Sequence, residues 1–186
     1  MRKTNYEINA LFLKRWSPRA MSGDVSEEEL MRVLEAARWA PSSFNNQPWR
    51  FIYGLKKTKE FEKLSSLLFE GNNWALKAGA LVLIISKKTF DRNSKPYNTY
   101  SLEAGSAWQN AALQATDMGL YAHGMGGFDY EKARKEFGVP EDYNVEMMFA
   151  IGKLGDKEEL PKELANKEAP SDRKPLNEIV FKGKFK

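Results

Sequence analysis

The stretch Ala40–Phe51 reads APSSFNNQPWRF. Two prolines, two serines, two asparagines and a glutamine fall between Trp39 and Trp49, a mixture too polar for a core and too aromatic for a plain linker. Upstream, Ser26 and Glu29 have the spacing of a capping box, and Leu30, Val33, Leu34 and Ala37 recur at helical spacing. That pattern predicts a helix from Ser26 to Trp39, stopped by Pro41. Downstream, Trp49, Phe51 and Tyr53 alternate with Arg50 and Ile52 before Gly54, as in a short strand. Within the loop, Ser42, Ser43, Asn45, Asn46 and Gln47 supply donors and acceptors without charge. Recognition of a polar heteroaromatic ring with a sugar-like chain needs such a set, and so does ordinary turn chemistry at a helix exit.

Beyond the strand, Thr58 caps an expected helix carrying Phe61, Leu64, Leu67 and Leu68 and ending near Gly71, and Ala80–Ile85 reads as a fully buried strand. The polar segment Asp91–Tyr100 reads as a mobile loop, a candidate lid. Ser101–Met118 is rich in alanine and glutamine, lacks proline and closes at Gly119, which predicts a long, closely packed helix at the centre of the fold. Asp129 opens a short helix ending at Gly138, Met147–Ile151 is another buried strand, and Lys153–Ala169 is expected to be a charged, structureless connector. The fold class is α+β, with helices outnumbering strands.

The chain of 186 residues is expected to form one domain, residues 1–186. Its 42% hydrophobic and 29% charged residues are ordinary globular composition, and its longest strongly apolar run, Ala80–Ile85, is too short to span a bilayer. With no signal-peptide pattern in MRKTNYEIN, the expected location is the cytoplasm, with no membrane partner. The absence of cysteine removes disulfides, thiolate nucleophiles and sulfur-ligated metals, and a single histidine argues against a histidine-rich metal site. Any redox chemistry must therefore come from a bound cofactor. The net charge is +4, but many of the lysines lie in mixed-sign runs such as KKTKEFEK, which read as solvated faces and not as a nucleic-acid surface, and a small anion such as phosphate remains a suitable ligand.

Three further segments stand out. In RWSPR, Arg15, Ser17 and Arg19 alternate, so an extended backbone turns two guanidinium forks and a hydroxyl toward one anion, although an exposed basic turn has the same composition. Arg173 and Lys174, in DRKPL, form a second basic spot or a solvated tail. In HGMGGFD, Gly124, Gly126 and Gly127 let backbone approach a flat ligand and free N–H groups to meet it, or else make a turn after Gly119. The spacing is not that of a dinucleotide fingerprint. His123 reads as a packed or surface histidine, not a catalytic base.

In this order and spacing the four segments resemble the FMN-dependent nitroreductase superfamily, within its compact subfamily. RWSPR is similar to its N-terminal R-x-S-x-R/K, PSSFNNQPW to its PSS-x-N-x-QPW, GMGGFD to its second flavin motif and DRKPL to its C-terminal basic pair. The resemblance runs from about Asn9 to the tail. It implies a mostly antiparallel sheet sandwiched by helices, a homodimer joined through long helices, and a swapped C-terminal arm of about residues 170–186 wrapping the partner. It also implies two FMN molecules at the subunit interface. Arg15, Ser17 and Arg173 would hold the FMN phosphate, with Lys174 a further candidate, and Arg19 would sit by the pyrimidine end of the flavin. Pro41, Ser42, Ser43 and Asn45 would reach the FMN bound mainly by the other subunit, and Gly126 and Gly127 would offer N–H groups to the flavin N5 edge.

The implied activity is ping-pong hydride transfer from NADH or NADPH to a small acceptor such as a nitroaromatic or quinone, with no catalytic side chain and no metal. The resemblance equally admits a dedicated relative (an enal reductase, a reductive dehalogenase or a flavin-consuming enzyme), or an FMN store or sensor. Gly126 stands where many bacterial members carry glutamate. Trp74 lies near a lysine position of some relatives, with Asn72 or Asn73 as the alternative contact there.

Overall fold

The computed structural model describes residues 2–185. Helices α1 (Ala10–Lys14), α2 (Glu27–Arg38), α3 (Lys59–Ser65), α4 (Tyr100–Asp117), α5 (Tyr130–Glu136) and α6 (Lys162–Ala165) are interspersed with strands β1 (Met21–Ser22), β2 (Trp49–Leu55), β3 (Ala80–Lys87), β4 (Tyr121–Met125) and β5 (Tyr143–Leu154). All strand pairs are antiparallel. β3 lies between β2 and β5, β5 also pairs with β4, and the last residues of β5 pair with β1.

The capping box forms as its spacing predicts. The Ser26 hydroxyl accepts from the Glu29 N–H at 3.1 Å, and the Glu29 carboxylate accepts from the Ser26 N–H at 2.8 Å. α2 then buries Leu30, Val33 and Ala37. These pack with Val82 and Ile84 of β3 and with Ala104, Ala107, Ala111 and Ala115 of α4, whose small side chains let the helix lie close to the sheet. The alternate residues of β3, Leu81, Leu83 and Ile85, point into a second core with Phe61, Leu64, Trp74, Phe128 and Met148. Helices therefore cover both faces, which is why β3 reads as an unbroken apolar run and not as an alternation. Each fully buried Leu or Ile contributes about 1.5–3 kcal/mol to this sandwich.

Four segments differ from expectation. The helix capped by Thr58 closes at Ser65, so Leu67 and Leu68 lie beyond it and a 3-10 segment, Glu70–Lys77, spans Gly71. Met147–Ile151 is the middle of a longer strand whose polar start, Tyr143 and Asn144, continues the pairing with β3. Lys153–Ala169 is not structureless: it ends β5, makes a 3-10 turn at Lys157–Glu159 and forms α6. The glycine-rich stretch after Gly119 begins as strand β4, which holds Gly124 and ends at Met125, just before Gly126 and Gly127. A Cβ on Gly124 would stand 2.4 Å from the Met147 methyl and 3.2 Å from the Trp108 ring, so close packing here overrides weak strand propensity. Among the described residues, no helix is long and apolar enough to cross a membrane.

Candidate functional site

After α1 the chain extends, with Arg15 at φ −61 and ψ 125. The Arg15 guanidinium donates to the Ser17 hydroxyl at 3.3 Å, joining two of the residues singled out in RWSPR. Arg2 folds back on the same segment, donating to the carbonyls of Leu13 at 3.0 Å and Arg15 at 2.6 Å. Burial, then the charge of Arg173 and then that of Arg2 hold the Arg15 guanidinium below its ordinary pKa. The two ends of the chain thus meet at one basic cluster. No ion pair among the described residues involves Arg2, Arg15, Arg19 or Arg173, so the cluster is uncompensated and suited to a multiply charged anion.

Arg19 is fixed through its backbone. The Glu168 carboxylate accepts from the N–H groups of Arg19 and Ala20 at 2.6 and 2.8 Å. Beside it, Nδ1 of His123 lies 2.8 Å from the Pro18 carbonyl oxygen. A carbonyl can only accept, so Nδ1 carries the proton and the neutral ring keeps its lone pair on Nε2. Burial is the main cause that lowers the His123 pKa; the Pro18 bond and Glu168 oppose it, while Arg19 and Arg15 reinforce it. The imidazole packs on Trp74 at 4.5 Å between ring centres, and the Trp74 indole N–H is buried without a partner.

The Gly127 carbonyl accepts from the Phe69 N–H at 3.1 Å and from the Asn72 side chain at 2.9 Å. A Cβ on Gly127 would come 2.7 Å from the Asn72 amide nitrogen, whereas one on Gly126 meets nothing nearer than the Tyr130 hydroxyl at 3.5 Å. The N–H groups of Gly126 and Gly127 donate no hydrogen bond among the described residues. Of the two asparagines weighed from sequence, Asn72 is the one joined to this turn. Asn73 is exposed.

The loop after α2 is held in an unusual shape. Phe44, Asn45 and Gln47 have φ of 52, 55 and 48, the left-handed region that bulky residues seldom enter. Several contacts over-determine it. The Gln47 N–H donates to the Ser42 hydroxyl at 3.0 Å, the Gln47 side chain to the Asn45 carbonyl at 3.0 Å, and the Ser43 N–H to the buried Glu103 carboxylate at 3.0 Å. Glu103 also accepts from the Thr99 hydroxyl at 2.8 Å, and its second oxygen is buried without a partner. Backbone strain maintained in this way is characteristic of binding loops.

The structure thus gathers Arg15, Ser17, Arg19 and Arg173, adds Arg2, Glu168 and His123 to them, and places Gly126 and Gly127 against Asn72. Lys174 is exposed. No hydrogen bond joins Pro41, Ser42, Ser43 or Asn45 to the basic cluster among the described residues; Ser43 donates to Glu103, Ser42 and Asn45 accept from Gln47 within the loop, and the neighbouring Asn46 ties the loop to Thr89 and Asp91. Arg2, Glu168 and Glu103 were not legible, because each acts across a long separation in sequence and belongs to no local pattern.

Residues 13–75 and 56–153 match the model of the Nitroreductase family. The chain belongs to the nitroreductase family. A crystal structure described as an oxidoreductase containing FMN is 42% identical, superposes with a TM-score of 0.95, and is covered over 96% of its length by 100% of this chain. A nitroreductase family protein from Clostridium difficile is 25% identical with a TM-score of 0.73, covering 97% of this chain and 100% of its own. A protein of Archaeoglobus fulgidus provisionally named NADH dehydrogenase/NAD(P)H nitroreductase is 27% identical over 139 residues, 73% of this chain and 78% of the relative. The α+β sandwich with its antiparallel sheet is the nitroreductase fold.

Proposed function

We propose that this nitroreductase is an FMN-dependent oxidoreductase that takes reducing equivalents from NADH or NADPH and delivers them to a small acceptor of the nitroaromatic or quinone type. The observation that carries this reading is the uncompensated meeting of Arg2 and Arg173 with Arg15, whose guanidinium donates to the Ser17 hydroxyl. A phosphate monoester fits such a set, because its oxygens can accept from several charged donors at once. The FMN in the relative of 42% identity supports the choice of ligand. When bound, FMN supplies the hydride chemistry.

The side chains do the rest. Arg15, Ser17 and Arg173 hold the phosphate, with Lys174 free to join them. Arg19, its backbone fixed by Glu168, puts a guanidinium where negative charge develops at the pyrimidine end, which favours the reduced state. Gly126 and Gly127 keep their N–H groups for the flavin edge, and Asn72 sets the position of that turn. His123 stays neutral, and no proton transfer is assigned to it.

Pro41, Ser42, Ser43 and Asn45 serve the site of a second copy in a homodimer. Two features support this. The loop shares no hydrogen bond with the basic cluster of its own chain, and the segment from Ala169 to Phe185 is exposed at every residue but Phe181. That segment carries Leu176, Ile179, Val180 and Phe185, which suit a swapped arm. Among the described residues β2 pairs only with β3, and along α2 and β2 opens a cavity of about 1050 Å³ lined by Met31, Leu34, Trp39, Trp49, Phe51 and Tyr53, a place for such an arm.

The absorbance spectrum of the purified protein tests the reading. The expected preparation is yellow, loses its colour with NADH or NADPH without oxygen, and regains it when a nitroaromatic or quinone is added. A colourless protein that takes up no added FMN overturns the proposal. A yellow protein bleached by neither nicotinamide overturns the enzymatic part and leaves an FMN store or sensor.

A further inference from the structure

A second cavity, of about 510 Å³, opens beside the strained loop, and of its lining residues Asn45 alone has a role above. Two distant segments build it and are locked together: the Asn46 side chain accepts from the Asp91 N–H at 3.0 Å and donates to the Thr89 carbonyl at 3.4 Å. Its wall carries Phe44, Asn45, Gln47, Arg50, Asp91 and Arg92. The Arg92 guanidinium lies over the Phe44 ring at 3.9 Å and within 5.4 Å of Phe90. Stacking occupies the face of a guanidinium and leaves its N–H edge available.

That edge is unused. Among the described residues Arg92 makes no ion pair, and no side-chain hydrogen bond of the loop involves it. Arg50 donates through one terminal nitrogen to the carbonyls of Gln47 and Trp49 at 2.8 and 2.7 Å, which leaves its other donors free. The one acid on the wall, Asp91, is paired with Lys87. The cavity is therefore net positive, ringed by amide groups, and bordered by an aromatic ring that is 72% exposed and held at a φ of 52.

We propose that Arg92 and Arg50 form an anion subsite next to the cofactor loop, which takes a phosphate or carboxylate group carried by one of the two substrates. The inference rests on the FMN oxidoreductase reading and adds to it a rule of selectivity. The anionic group has two possible sources, the extra phosphate that distinguishes NADPH from NADH or a carboxylate on the acceptor. One chemistry serves both, since a guanidinium edge receives either group through paired, charge-assisted hydrogen bonds.

The test compares pairs of compounds that differ by one anionic group, in the holo protein and its Arg92→Gln, Arg92→Lys and Arg50→Gln variants. Calorimetry gives the affinities for NADP⁺ and NAD⁺, and steady-state kinetics give KM for NADPH against NADH and for para-nitrobenzoate against para-nitrotoluene. Arg92→Gln is expected to weaken the more anionic member of one pair about tenfold or more, and to leave the other member within about twofold. Arg92→Lys, which keeps charge but loses the fork, falls between. Movement in the nucleotide pair assigns the group to the donor, and movement in the acceptor pair assigns it to the acceptor. A yellow protein, bleached by a nicotinamide, in which neither pair moves by more than about twofold overturns the subsite alone. A colourless protein that refuses FMN overturns both readings.

Discussion

The carboxylate of Glu168 holds the backbone of Arg19: one oxygen accepts from the Arg19 N–H at 2.6 Å and from the adjacent Ala20 N–H at 2.8 Å, across 149 positions of sequence. Glu168 is also the last half-buried residue before the exposed C-terminal segment, so one side chain sets both the place of Arg19 and the point where the arm departs. Hydrogen bonds to a charged acceptor are worth about 1.5–3 kcal/mol each. Glu168→Ala is expected to destabilise the fold by roughly 2–3 kcal/mol and to weaken FMN, whereas Glu168→Gln, which keeps an acceptor oxygen, recovers part of both. Urea unfolding and a flavin fluorescence titration measure the two effects. Equal stability and affinity in the alanine variant would remove Glu168 from the site.

Arg15 and Arg173 repel one another when no anion lies between them. The double variant Arg15→Ala with Arg173→Ala is expected to lose FMN affinity by at least about a hundredfold, since two charge-assisted contacts go together. The apo protein should not lose stability in proportion, because a repulsion goes with them. Flavin titration and thermal melting of the apo form, with and without inorganic phosphate, separate the two effects. Tight binding in the double variant would place the phosphate elsewhere.

Glu103 supports the loop from beneath, accepting from the Ser43 N–H at 3.0 Å while its other oxygen stays unpaired. Glu103→Ala is expected to release Ser43, letting Phe44 and Asn45 leave their positive φ, and to reduce FMN affinity about tenfold. Glu103→Gln should hold the loop. Hydrogen exchange at the Ser43 amide reports the anchor directly, and unchanged protection in the alanine variant would show that the loop keeps its shape without it.

Removing the chain after Ala169 deletes Arg173 and the exposed Leu176, Ile179, Val180 and Phe185. If the arm serves both assembly and phosphate as proposed, the truncated protein is expected to sediment as a monomer and to bind FMN weakly. A truncated holo dimer would show that the arm is dispensable for each.

Much of this arrangement was readable because its signals are local. The capping box of α2, the proline that stops it and the alternation of β2 each lie within a few residues, and the loop between them is bounded by those elements. RWSPR likewise placed Arg15 and Ser17 in contact through alternation alone. β4 was missed because Tyr121–Met125 contains glycine and histidine and is a strand only through its pairing with β5. Arg2, Glu168 and Glu103 were missed for a related reason. Each side chain meets a backbone or side-chain group brought near by the tertiary fold, so nothing in its neighbours announces it.

His123 provides a stability test of the site that needs no cofactor. In the unfolded chain it titrates near 6.5, and in the folded protein burial lowers that value. Between the two values the unfolded chain binds a proton that the folded protein does not, so unfolding is favoured as pH falls. Above 6.5 both states are neutral at this residue and it contributes no slope; below the folded value both are protonated and the slope ends. Melting temperature between about pH 7.5 and 5.5 should therefore fall more steeply in the wild type than in His123→Asn. The readout is the difference in slope and not the absolute stability, since the asparagine also alters the contact with Pro18. Parallel curves would mean that the imidazole accepts a proton as readily in the fold as in water, and that burial does not disfavour its charged form.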